Sequence, residues 1–153
     1  PERLGEWFFR GADKGSLPEY LEGFAHTIAV MQTPEALERV AYEFLEDQAA
    51  DGVVYAEVRF APHFHTGEGL GLDAVMRAVL AGLERGGRDH DVGWGLIVCA
   101  MRNGEPDFSE DMAELALAYR NQGCVGFDDA RVRGRLAVRR LAVGRLRIVG
   151  NQS

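Results

Sequence analysis

The sequence predicts an α/β fold: a partial (β/α)8 TIM barrel, about three of the eight βα units, with helices ahead of them. Three observations point there. Apolar runs rich in β-branched and aromatic residues alternate with stretches of helical periodicity, the order that yields right-handed βαβ units and a parallel sheet. The run Val53–Phe60 sets Tyr55, Glu57 and Arg59 on one face and Val54, Ala56, Val58 and Phe60 on the other. A strand of a doubly wound sheet is apolar on both faces, whereas a polar inner face and an apolar outer one suit a barrel with helices only outside. Finally, 153 residues at 46% hydrophobic and 27% charged match one globular domain, enough to bury roughly 68–70% of the unfolded surface.

The elements follow in order. Helical spacing begins at Ser16, where Ser16 and Glu19 form a capping box and Pro18 suits the first turn. Leu17, Tyr20, Leu21, Phe24 and Ile28 then make one apolar stripe. Thr33-Pro34-Glu35 opens a second helix, with Leu37, Val40, Ala41, Phe44 and Leu45 on its apolar face and Asp51-Gly52 as its stop. Val53–Phe60 is the first strand. A helix near Leu72–Arg85 carries Val75, Met76, Val79 and Leu83 on one face, and Gly86-Gly87 is expected to end it. Gly93–Met101 is the next strand. Ser109 is expected to cap a helix running to Gln122, with Met112, Leu115, Ala116 and Tyr119 as its stripe. Cys124–Asp128 is a third, short strand. Glu57 and Arg59 read as a structural ion pair inside the barrel rather than as substrate contacts.

Charge divides the chain. Net charge is −7, but residues 131–153 hold seven arginines and no acidic residue, while 1–130 hold all 24 acidic residues against ten basic ones. The tail could bind nucleic acid or acidic lipid. It has no lysine and no aromatic residue to stack on a base, which disfavours nucleic acid. Its Arg/Val/Leu/Gly vocabulary is what a GC-rich gene gives when read out of frame, and that reading is preferred. No run approaches the length of a membrane span, so no membrane partner is expected. No basic-then-apolar leader opens the chain, and Pro1 in place of Met reads as a start inside a longer product. Cys99 and Cys124 lie far apart in apolar runs, as reduced buried thiols of a cytoplasmic protein do.

His63 and His65, one residue apart, raise the question of a metal site, since such a pair can reach one zinc ion. The surrounding phrases answer it. "SLPEYLEGF", "ALERVAYEFLED", "GVVYAEVRFAPHFH", "CAMRN" and "YRNQGCVGFDDA" together resemble the zinc-dependent adenosine deaminase family, bacterial type, from about Leu4 to Ala130. The resemblance implies a (β/α)8 barrel of the amidohydrolase kind. It implies three histidines and an aspartate on zinc, a zinc-held hydroxide attacking the purine carbon, and a glutamate that moves the proton. In that family the metal-binding His-x-His closes the first strand. Here the pair falls in the phrase after the second. His65 matches a recurrent histidine that is not a ligand, and His63 stands where the family varies. The metal and catalytic motifs of the family are missing from this chain. No catalytic residue and no metal ligand are therefore expected: Zn2+ belongs to the full-length family and is not expected to be held here.

The resemblance also implies part of a purine pocket. Leu17, Tyr20 and Phe24 match a helical lid over the nucleoside. Phe64 takes the place of an aliphatic residue that borders the pocket, and Met101 matches a pocket methionine at a strand end. Asn103 replaces the usual histidine, and Asp128 matches a recurrent acid that positions its loop. Arg131 stands where relatives carry glycine, at the point where the composition changes. The chain thus divides into a partial deaminase-like domain, 1–130, and a frameshift-like tail, 131–153. The implied activity is hydrolytic deamination of adenosine or deoxyadenosine in purine salvage, with no catalysis by this piece alone. A small-molecule purine nucleoside is the implied ligand. The alternative is a non-catalytic purine- or partner-binding α/β piece, self-associating through open sheet edges.

Overall fold

The computed structural model describes residues 24–101, 106–130 and 138–140. Helix α1 (Phe24–Ala29) is the described part of the first predicted helix; Ser16, Leu17 and Tyr20 lie outside the described residues. Helix α2 (Pro34–Ala50) starts as read, with the Thr33 side chain accepting from the Ala36 N–H at 3.2 Å and Pro34 in the first turn. It buries Leu37, Ala41 and Leu45, and Gly52 (φ 79°) supplies the left-handed turn beyond its end. Strand β1 (Tyr55–Phe60) leads into a 3-10 turn at Pro62–His65.

Helix α3 (Leu72–His90) departs from the expected end. It runs through Gly86-Gly87 and stops at Asp91, which takes the left-handed conformation (φ 55°) and returns its N–H to the Gly87 carbonyl. The glycines serve packing instead. A methyl group on Gly82 would run into the Glu38 carbonyl, and one on Gly86 would lie 3.1 Å from the Tyr42 carbonyl and Leu45. Missing side chains let α3 lie close along α2, an effect that local sequence does not reveal. Strand β2 (Gly93–Met101) follows. Helix α4 (Pro106–Ala118) begins three residues before Ser109, at a proline suited to a first turn. It gives way to a 3-10 turn at Arg120–Gln122, and strand β3 (Cys124–Ala130) comes next. Strand β4 (Val138–Arg140), in the Arg-rich tail, was not expected.

The sheet order is β1-β2-β3-β4. The first two pairings are parallel, with Arg59 opposite Ile97 and Cys99 opposite Asp128. The last is antiparallel, with Val138–Arg140 against Asp128–Gly126, so part of one edge of the parallel sheet is covered. Three parallel strands with helical crossovers are a partial (β/α)8 barrel. The core lies between the helices and one sheet face, where Leu45, Met76, Leu83, Leu96 and Met112 are fully buried. Tyr55, Glu57 and Arg59 stay exposed on the other face, as the alternation of β1 requires.

Within that face the ions pair differently from expectation. Arg59 Nη1 reaches Asp128 Oδ2 at 2.6 Å, across β2, and Glu57 accepts from the Tyr55 hydroxyl at 3.1 Å. Residues two apart on one strand stand roughly 6.5–7 Å from each other. The fully buried Asp128 carboxylate needs a cation more than the exposed Glu57 does.

Candidate functional site

The carboxyl end of β1 builds the site. Pro62 fixes its own φ and keeps Ala61 extended (φ −110°, ψ 97°), so the chain leaves the strand straight and then turns at once. Thr66 braces the turn by donating to the His63 carbonyl at 3.0 Å. The turn sends Phe64 outward and folds His65 under it. His65 is 4% exposed, lies near-parallel to the Phe60 ring at 6.0 Å, and donates from Nδ1 to the Met31 carbonyl at 2.9 Å. A carbonyl only accepts, so this bond sets the Nδ1–H tautomer. Burial lowers the His65 pKa, against the raising effect of the Met31 bond. Burial also lowers that of His63, with a smaller contribution from its neighbour His65. Both rings are thereby favoured in the neutral form.

Beside this turn lies a cleft of about 460 Å³. Phe24, Ile28 and Met31 from the segment of α1 and Phe64 from the turn after β1 give it apolar lining; Arg59, His65 and Cys99 also line it. The floor is electrostatically anchored: Asp128 Oδ2 holds Arg59, with Cys99 Sγ 4.0 Å away. Asp128 Oδ1 is buried without a hydrogen-bond partner among the described residues. Ring-bearing walls over a polar floor suit a flat heteroaromatic ligand with polar edges.

Of the residues singled out from sequence, Phe24 and Phe64 meet at this cleft. Met101 closes β2 opposite Ala130, and only its backbone is described. Leu17 and Tyr20 lie outside the described residues, as do Asn103 and Arg131. Sequence reasoning missed Ile28, Met31, His65, Cys99 and Arg59 as lining residues. Ile28 continued the stripe of Phe24, and strand alternation already turned Arg59 to the open face. Met31 carried no signal, since it reaches the cleft only through the fold of the link after α1.

A zinc ion does not fit the described residues. All four histidines of the sequence, His26, His63, His65 and His90, are among them. No group of three His, Cys, Asp or Glu there is placed to hold a metal, and His65 Nδ1 is already committed to Met31. No chemical step is assigned through a metal here. No helix among the described residues is long and apolar enough to cross a membrane.

Comparison with known proteins agrees with this architecture. The sequence pattern of the adenosine deaminase family matches residues 1–133. The chain is similar to an adenosine deaminase of Mycobacterium leprae, 52% identical over 134 residues, 84% of this chain and 36% of the relative. Among solved structures it resembles the adenine deaminase of Arthrobacter aurescens (TM-score 0.72, 25% identity, 86% of this chain and 39% of that one). A zinc-bound amidohydrolase from Burkholderia ambifaria shares the fold (TM-score 0.64, 22% identity, 85% and 40% covered). The chain spans about a third of the length of the curated relatives it matches.

Proposed function

The chain belongs to the adenosine deaminase family, and from that membership we propose that it forms one wall of a purine pocket. The protein acting through that pocket hydrolyses the 6-amino group of adenosine or deoxyadenosine, giving inosine or deoxyinosine, in cytoplasmic purine salvage. The observation that carries this reading is 52% identity to an adenosine deaminase over 134 residues, 84% of this chain. The cleft supports it, because two aromatic side chains, Phe24 and Phe64, line it.

No catalytic role is assigned within this chain. Hydrolysis of that C–N bond needs an activated water, and water at its bulk acidity is a poor nucleophile. The zinc that such activation uses in the family belongs on residues outside these 153. Here Phe24 and Phe64, with Leu17, Tyr20 and Met101 by resemblance, contact the nucleoside. Residues 131–153 differ from the rest in composition, with seven arginines and no acid, and the family match reaches only to 133, although Val138–Arg140 joins the sheet against β3.

A graft tests the proposal. Residues 1–130 replace their matching segment in the M. leprae relative, and adenosine turnover is followed by the absorbance change on forming inosine. Turnover is expected to persist, and the 153-residue chain alone is expected to show none, with or without added zinc. A folded graft that binds zinc but has lost adenosine turnover, or zinc-dependent turnover by the chain alone, counts against this division of labour.

A further inference from the structure

The two ring-bearing walls of the cleft come from segments far apart in the chain, and one side chain joins them. Gln32 lies in the link between α1 and α2. Its Nε2 donates to the Ile28 carbonyl at 2.9 Å and to the Phe64 carbonyl at 2.8 Å. Its Oε1 accepts from the Gly67 N–H at 3.0 Å. Two carbonyls on one side and an N–H on the other fix the amide orientation, because the flipped group would set oxygen against oxygen twice. Every polar atom of the side chain is thus engaged. The approach at residue 67 is close: a Cβ there would stand 3.1 Å from Gln32 Oε1. The preceding residue adds another tie, the His65-to-Met31 bond.

Gln32 does not line the cleft, but Ile28 and Phe64, the residues it holds, do. We propose that Gln32 is a positioning residue: it clasps α1 to the Phe64 turn and thereby sets the gap that receives the base. A radial gap of roughly 0.5–1 Å already forfeits a quarter to a half of the dispersion attraction between surfaces. A small slip at this junction therefore weakens ring binding without removing any contacting residue. The purine in the gap rests on the function proposed above; the clasp does not.

Amide hydrogen exchange on the full chain, with 2-aminopurine riboside as a fluorescent probe, tests clasp and consequence separately. Gln32→Met keeps volume and removes all polar arms. Amides of residues 28–31 and Gly67 are expected to exchange together, roughly five- to thirtyfold faster, the factor for one to two net hydrogen bonds. Amides in the α2–α3 core are expected to hold their rates. Gln32→Glu keeps an acceptor for Gly67 but cannot donate to Ile28 and Phe64. It is expected to loosen α1 and leave Gly67 protected, a pattern that general destabilisation does not give. If exchange in α1 is unmoved in both variants, Gln32 is a local contact and the proposal is overturned. Riboside affinity is expected to fall roughly fivefold in Gln32→Met, the equivalent of one net hydrogen bond. Equal affinity in parent and variant overturns the positioning role. A riboside bound by neither counts against the purine reading, and the exchange pattern then decides the clasp by itself.

Discussion

On the helix-covered face of the sheet, Leu96 and Val98 are sealed against α3 and α4 neighbours such as Leu83 and Met112. On the opposite face Tyr55, Glu57 and Arg59 remain exposed, and a buried Asp128 carboxylate sits there beside buried Cys99. The first face holds the apolar burial that drives folding. The second holds the polar groups and the cleft. A barrel segregates these tasks by strand alternation, so the described part of it carries a packed core on one face and a polar cleft on the other.

Attacking the closed face is expected to give the largest effect. Leu83→Ala removes a fully buried side chain between α3 and α2 and should lower stability by about 2–5 kcal/mol, read as a shift of the urea midpoint. The open face should respond less and asymmetrically. Arg59→Met strands the Asp128 carboxylate in a site where its Oδ1 already has no partner among the described residues. That should cost about 2 kcal/mol, below the usual range for breaking a buried pair because Arg59 itself is half exposed. Asp128→Asn leaves only a hydratable guanidinium and should cost less. Equal losses from both changes would mean that the two ends of the pair are equally buried, erasing the contrast between floor and mouth of the cleft.

The smallest effect is a pH dependence at the junction of the two faces. Burial holds His63 and His65 below their ordinary pKa of 6.5. The unfolded chain therefore takes up protons first as pH falls. The stabilisation is complete above the unfolded value and is lost as pH drops through the lowered folded values. Thermal midpoints measured from about pH 7 to pH 5 should decline, and His65→Gln, which can still donate to the Met31 carbonyl, should flatten the slope. An unchanged slope would assign the decline to other groups.

Much of this molecule is local and was legible from sequence. Thr33-Pro34 starts α2 because a hydroxyl and a fixed φ act within one turn, and the alternation of Tyr55–Phe60 assigns faces because successive side chains must point oppositely. The phrases that marked the family were local too, and the family match over residues 1–133 accords with them. Three features needed the tertiary structure. Gly86-Gly87 reads as a helix stop until α2 lies against Gly86 and Trp94 against Gly87, when the absent side chains become the means of close packing. Arg59 has Glu57 two residues away, yet it pairs with Asp128, 69 residues on, because only the folded sheet sets a buried carboxylate within its reach. Gln32 has no pattern at all in sequence, and its amide acquires a role when two distant segments present two carbonyls and an N–H to it. The sequence by itself determined most of the elements, the faces of β1 and the family, since these follow from periodicity, capping, short-range sterics and local phrases. Only the tertiary structure decided which glycines pack, which charges pair and what holds the cleft open, because each depends on groups that covalent order keeps apart.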